Sequence, residues 1–293
     1  MLQVQNLTRR FGENTAVDDV SFSVPGGRMT GFVGANGAGK TTTMRMIMGV
    51  LTPHSGQVLL HGRPVTAEQR STFGYMPEER GLYPKQPIID QLVYLGQLHR
   101  MSQGDARSRA QELLERFQLG DRGKDKLESL SLGNQQRVQI AASLLHRPSV
   151  LILDEPFSGL DPVAVDAMVD LLREHTEQGV PILFSSHQLD LVDRLCDNLV
   201  ILQKGRLVTT GSGDDLRAAA PRRHRLTITP DAGWLREEAW VKVIDIAGQD
   251  AVVELQEDDD AQRILSAAMA RGQVREFSRI RPSLSEIYRG VSQ

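Results

Sequence analysis

Cysteine is almost absent from this 293-residue chain, where Cys196 stands alone. A lone thiol closes no internal disulfide, which favours a reducing cytoplasm, and nothing around Cys196 marks a catalytic nucleophile. Long hydrophobic runs are missing as well. No stretch approaches the roughly 18–20 apolar residues that cross a bilayer. Met1-Leu2-Gln3-Val4 leads straight into a strand-like pattern, which predicts no secretory leader. If the chain works at a membrane, another polypeptide must supply the spans. Charge of one sign is scarce too: 34 Lys and Arg against 37 Asp and Glu give a net charge of −3. That balance leaves no broad basic footprint, so nucleic acid is not an expected partner. There is no internal repeat. Low complexity is confined to Asp258-Asp259-Asp260, read as the acidic start of a helix because the spacing and closing Glu of a Ca²⁺ loop are missing. The remainder, 40% hydrophobic and 24% charged, suits one ordinary core plus a smaller domain.

Against that background, residues 34–42 read Gly-Ala-Asn-Gly-Ala-Gly-Lys-Thr-Thr, a G-x-x-x-x-G-K-[ST] loop. It follows the apolar run Met29-Thr30-Gly31-Phe32-Val33, read as a buried strand, and precedes a helical pattern over Thr41 to Met48. Gly34, Gly37 and Gly39 free the backbone so that successive N–H groups, including those of Asn36 and Ala38, turn inward as an anion nest. Lys40 can place its ammonium between the β- and γ-phosphates, the Thr41 hydroxyl is positioned to ligate Mg²⁺, and Thr42 supports the α- or β-phosphate. The expected ligand is a nucleoside triphosphate with magnesium.

Strand-like alternation over residues 1–24 predicts an antiparallel layer beside this core, with Val58-Leu59-Leu60 as another short strand. Helical spacing at Ile89, Leu92, Val93 and Leu95, then at Ala110, Leu113, Leu114 and Phe117, predicts a helical insertion over about 86–135. Val150-Leu151-Ile152-Leu153 reads as a central parallel strand, as does Ile182 to Ser186. A hairpin turning at Gly205 follows Leu199 to Leu202. Around Ala218 to Arg225 the composition, Ala-Ala-Ala-Pro-Arg-Arg-His-Arg, predicts a linker with solvated arginines. Beyond it come strands at Leu226–Thr229, Val241–Ile246, Ala251–Leu255 and Val274–Ile280, a helix at Ala261–Ala270, and a capping box, Ser283 to Glu286, for a last helix.

The strand at 150–153 delivers Asp154-Glu155-Pro156 at its carboxyl end, where doubly wound sheets place ligands. Asp154 suits Mg²⁺, through water. Glu155 suits the orienting and polarising of an attacking water, with full proton abstraction left open.

Leu130-Ser131-Leu132-Gly133-Asn134-Gln135-Gln136-Arg137 adds a further pattern: a serine at a helix start, with a glycine two residues on that allows close backbone approach. Here the chain resembles the ATP-binding subunits of ABC transporters, whose counterpart is Leu-Ser-Gly-Gly-Gln-Gln-Gln-Arg. Leu132 and Asn134 depart from that pattern. The resemblance, over residues 1 to about 215, implies that two such domains pair head to tail and that Ser131, Gly133 and Asn134 of one close over the γ-phosphate held by the other. It further implies that Phe11 stacks on adenine, that Asp161, in Ser158-Gly159-Leu160-Asp161, communicates between the paired sites, and that His187 contacts the γ-phosphate. Where the family has Gln after Tyr-x-Pro, this chain has Tyr75-Met76-Pro77-Glu78, and the Glu78 carboxylate can offer an oxygen to Mg²⁺. The string Pro77 to Tyr83 and the C-terminal domain are similar to the bacterial sodium or drug and antibiotic efflux subgroup.

The expected fold class is therefore α/β: a P-loop NTPase parallel-sheet core with an antiparallel β layer and a helical insertion (1–215), plus a small C-terminal α+β domain (222–293). The expected function is an ATP-hydrolysing subunit at the cytoplasmic face of the membrane, powering export through a separately encoded transmembrane permease. That permease should dock in a groove over residues of about 78–120, on an apolar and Glu-lined surface. The second ATP-binding subunit is a copy or a paralogue. The competing readings are a soluble ATP-driven switch acting on RNA, ribosome or protein, and a single-domain P-loop kinase. The first usually has two cassettes in one chain or a long coiled coil; the second leaves Ser131 and His187 without a role.

Overall fold

Alternation of buried and exposed residues sets the first layer. β1 (Leu2–Phe11) buries Leu2, Val4 and Leu7 and pairs antiparallel with β2 (Asn14–Val24), Leu2 opposite Val24 and Val4 opposite Phe22. β3 (Met29–Val33) is buried at every residue, as a strand covered on both faces must be. A Cβ on Gly31 would lie 2.6 Å from Val192 Cγ1 and 2.7 Å from Cys196 Sγ, so this glycine admits the close approach of a later helix. The lone thiol is thus packing material, and burial pushes its pKa well up. Then come α1 (Lys40–Ile47), β4 (Ser55–Leu60), which takes the other edge of β1, and the two-residue β5 (Arg63–Pro64), giving the order β2-β1-β4-β5.

The single turn α2 (Ala67–Arg70), held by a reciprocal capping box between Thr66 and Gln69, leads into β6 (Phe73–Met76). The insertion is helical: α3 (Ile88–Leu98) and α4 (Gln103–Arg116) pack on each other, and α5 (Leu132–Leu144) follows. The chain continues through β7 (Val150–Leu153), α6 (Pro162–Glu177), β8 (Ile182–Ser186), α7 (Leu189–Leu195) and the hairpin β9 (Asn198–Gln203) and β10 (Arg206–Ser212). These strands form the order β10-β9-β3-β8-β7-β6, parallel except for β10. One core cluster joins Leu2, Val20 and Phe22 of the antiparallel layer, Met44 and Ile47 of α1, and Phe32, Ile152 and Leu183 of the parallel sheet. The parallel register sets Val33 opposite Ser186, Leu153 opposite Phe184 and Met76 opposite Leu153. Gly34, His187, Asp154 and Pro77 therefore leave their strands at one edge.

The computed structural model describes residues 1–79, 81–256, 259–283 and 286–287, which divide into two compact units, Met1–Gly213 and Asp214 onward. The second unit follows α8 (Gly213–Ala219) with β11 (Arg222–Thr229), β12 (Lys242–Ala247), β13 (Asp250–Leu255), α9 (Asp259–Arg271) and β14 (Gln273–Ile280). Its sheet, in the order β12-β13-β11-β14, is antiparallel throughout and covers a core containing Leu226, Ile228, Val253 and Ile264. The linker expected over Ala218–Arg225 is not there. α8 occupies its start, and Arg222–Arg225 open the inner strand β11, with Arg223 ion-paired to Glu254 at 3.5 Å and His224 stacked on Phe277 at 5.2 Å. The arginine run hid a period of two that continues into Leu226 and Ile228. Asp259 and Asp260 lie in the first turn of α9; Asp258 falls outside the described residues. Ser283 and Glu286 exchange both capping-box bonds, at 2.8 and 3.2 Å, while the helix expected beyond them lies largely outside the described residues.

Candidate functional site

The loop after β3 is shaped by its glycines for two different reasons. Gly37 (φ 80°) and Gly39 (φ 100°) occupy the left-handed region that disfavours side chains. Gly34 does not. A Cβ there would lie 2.6 Å from Leu202 O and 2.9 Å from Ala38 Cβ, so its role is close approach rather than conformational freedom. No side chain caps α1 and no acid stands in its first turn, which leaves its first-turn N–H groups to an anion. Lys40 is buried, and its Nζ donates to Gly34 O at 2.6 Å and to Ala35 O at 3.3 Å. An ammonium has three donors, so one remains for a ligand. Above the loop lies a cavity of about 640 Å³ bordered by Asn36, Gly37, Ala38, Gly39, Lys40, Thr41 and Thr42. Glu78, Asp154 and Glu155 form another wall, and Phe11, Asn14, Thr15, Ala16 and Lys204 complete it.

The two carboxylates after β7 are held differently. Asp154 is 1% exposed; its Oδ1 accepts from Ser185 Oγ at 2.5 Å, while Oδ2 is buried with no protein partner among the described residues. A buried, unpartnered carboxylate oxygen in a cavity also bordered by Thr41 and Glu78 belongs to an oxygen donor set that fits Mg²⁺. Glu155 has a left-handed backbone (φ 51°), and its N–H donates to Ser185 Oγ at 2.8 Å. Its Oε2 lies 3.0 Å from His187 Nδ1, so the two residues expected to act on the γ-phosphate and its water are in direct contact. Gln136 of α5 donates from Nε2 to Glu155 O and Pro156 O at 3.2 and 3.1 Å, fixing the turn from the other side. Burial, together with the Asp154 and Glu78 carboxylates and against the cation of Arg45, raises the Tyr75 phenol.

Ser131, Gly133, Asn134 and Asp161 do not border the cavity; they form a separate cluster. Ser131 caps α5, its Oγ accepting from Asn134 N at 3.4 Å, and a Cβ on Gly133 would lie 3.1 Å from Gly159 O. Asp161 caps α6, its Oδ1 accepting from Ala164 N at 2.8 Å, and its Oδ2 lies 3.6 Å from Arg137 Nη2. Phe11, half exposed, carries the Arg9 guanidinium 5.0 Å from its ring centroid.

A second cavity, of about 300 Å³, lies between Met48, Arg70, Phe73, Tyr75, Leu82, Leu95, His99 and His146. The ionisable side chains bordering this cavity are basic or phenolic. Glu78 borders the first cavity. Sequence reasoning missed Ser185, Gln136 and Lys204. Gln136 stood inside the motif already singled out, whereas Ser185 and Lys204 had no signal apart from their places at a strand end and a turn. Among the described residues no helix is long and apolar enough to cross a membrane.

Residues 17–158 match the family model of the ABC transporter, and residues 211–292 match that of the C-terminal domain of DrrA1-3-like ATP-binding proteins. YhaQ of Bacillus subtilis, an ABC transporter ATP-binding protein, is 40% identical over 98% of this chain and 97% of its own length. The linearmycin resistance ATP-binding protein of the same organism is 36% identical over 74% of this chain and 70% of its own. Among solved structures, an ATP-binding subunit of an ABC transporter is similar with a TM-score of 0.69 and 33% identity, covering 74% of this chain and 92% of that one.

Proposed function

This chain belongs to the ATP-binding proteins of ABC transporters, and on that premise we propose that it hydrolyses Mg-ATP in the cavity over Gly34–Thr42 and drives export through a separately encoded transmembrane permease. The observation that carries this reading is that Glu155 and the orphaned Asp154 Oδ2 border the cavity over the loop, with Glu155 Oε2 in contact with His187 Nδ1, which lies outside the cavity lining.

In this reading the triphosphate lies along the loop, with adenine on the free face of Phe11. Lys40 gives its remaining donor to the β- and γ-phosphates, and the α1 N–H groups and Thr42 hold the rest. Asp154, Thr41 and Glu78 would hold Mg²⁺, whose charge offsets that of the phosphates. Glu155, with its backbone fixed by Ser185 and Gln136, orients the attacking water and accepts from it. His187 uses Nδ1 to hold the Glu155 carboxylate and keeps Nε2 for the γ-phosphate. Ser131, Gly133 and Asn134, which lie outside their own chain's cavity, reach the γ-phosphate of a second subunit docked head to tail, with Asp161 beside them. Binding ATP closes this clamp and hydrolysis reopens it, at the cytoplasmic face of the membrane. The groove of Met48, Leu95 and Arg70 takes the permease.

Glu155→Gln tests the chemistry. It should keep Mg-ATP affinity, lose turnover by about 10²–10⁴-fold, and accumulate an ATP-bound dimer on size exclusion. Near-normal steady-state hydrolysis by this variant would remove Glu155 from the mechanism. Detergent co-purification with a multi-span membrane protein tests the transporter role; a soluble ribosome-associated complex in its place would overturn it.

A further inference from the structure

Two ammonium groups border the nucleotide cavity, Lys40 and Lys204. Lys204 stands at the tip of the β9–β10 hairpin, where it and Gly205 both have left-handed backbones, φ 47° and 79°. A two-residue hairpin turn with both central φ values positive favours Asn, Asp or Gly at its first position, so a lysine is held there against its preference. Strain of this kind collects where a side chain is used.

The tip is fastened to the phosphate loop. Gly205 N–H donates to Ala38 O at 3.1 Å, Asp18 N–H donates to Gly205 O at 2.8 Å, and Arg206 holds the Asp18 carboxylate by Nε and Nη2 at 2.9 and 2.7 Å. A Cβ on Gly205 would lie 2.8 Å from Ala16 O, and one on Gly39 would lie 3.5 Å from Gly205 Cα. Lys204 is thus carried between two parts of the cavity wall: the Thr15–Ala16 stretch that follows Phe11, and Ala38–Gly39 of the loop. None of the ion pairs among the described residues uses it.

We propose that Lys204 is a nucleotide-binding residue, its ammonium donating to the phosphate nearest the ribose. This rests on the reading of the cavity as a nucleoside triphosphate site. An ammonium offers donors only, and the charged oxygens of a phosphate form stronger bonds with it than the neutral acceptors of a base edge. Lys40, already committed to the loop floor, serves the outer phosphates; Lys204, on the hairpin, meets the chain at its sugar end.

The test is fluorescence titration of the full chain with Mg-ATP, Mg-ADP and Mg-GTP, for the unaltered protein, Lys204→Asn and Lys204→Arg, alongside thermal melts without nucleotide. Asparagine suits the turn, so Lys204→Asn should melt higher than the unaltered protein. It should nevertheless bind ATP and ADP about tenfold more weakly, the loss of one charge-assisted bond. Lys204→Arg keeps the charge and should stay within about threefold of the unaltered affinity. GTP should lose by the same factor as ATP, because the contact is to a phosphate the two share. Unchanged affinity in Lys204→Asn, or a loss confined to one base, would overturn the proposal. If the unaltered protein bound none of the three, the nucleotide reading of the cavity itself would fail, an outcome distinct from the failure of Lys204 alone.

Discussion

His146 shows how a single side chain ties this fold to pH. Its ring stacks on His99 with centroids 3.7 Å apart, and its Nε2 faces Phe73 O at 3.2 Å. Burial first, and the neighbouring His99 second, hold its pKa down to about 4 against an ordinary 6.5. The unfolded chain therefore binds a proton more readily than the folded one between those values. Stability is intact above pH 6.5 and falls as the pH drops towards 4, by up to about 3 kcal/mol for a shift of this size. His175 and His224, also lowered by burial, act in the same direction. Urea midpoints at pH 7 and pH 4.5 should converge in His146→Gln relative to the unaltered chain; an identical acid limb in both would remove His146 as its source. At this scale the sequence pointed to residues that border the cavity and whose type the expected chemistry dictates, such as Lys40, Asp154 and Glu155. It did not disclose Ser185, because a serine bridging Asp154 and the Glu155 amide is recognisable only once the register of β7 against β8 is known.

Among the elements, helix starts carry much of the local order. Ser131 caps α5 and Asp161 caps α6, and Arg137 spans the gap between them while donating to Phe117 O at 3.2 Å. The Asp161 side chain is 63% exposed and lies 3.6 Å from Arg137, so water screens the ion pair and the cap is the stronger contribution. Asp161→Asn, which keeps a capping oxygen, should alter stability by less than about 0.5 kcal/mol, and Asp161→Ala should cost about 1 kcal/mol. Equal losses in both, measured by urea denaturation, would transfer the effect to the ion pair. The elements legible in advance were those with a clean period, β1, α3 and α4, and the unbroken apolar run of β7. β11 was not, because its first residues, Arg222–Arg225, resemble a solvated tract until Leu226 and Ile228 reveal the alternation. The one-turn α2 was too short to leave a pattern.

At the scale of the molecule, the two units have separate cores. Among the described residues, the cluster around Phe32 and Met44 uses none beyond Leu207, and the cluster around Leu226 and Val253 uses none before Leu226. A fragment ending at Gly213 should therefore fold and bind Mg-ATP within about threefold of the full chain, a factor worth less than 1 kcal/mol. Nucleotide titration of that fragment checks this, and a molten or non-binding fragment would contradict it. The parallel sheet also has two unlike rims. The residues proposed for chemistry leave β3, β6, β7 and β8 at one; at the other, the turns entering β3 and β8 meet, with a Cβ on Gly26 lying 3.0 Å from Gly179 O and Ile182 N–H donating to Arg28 O at 3.2 Å. This rear rim supplies none of the lining of the nucleotide cavity. It offers an engineer attachment points for reporters, probes or fusions that leave the working rim uncovered.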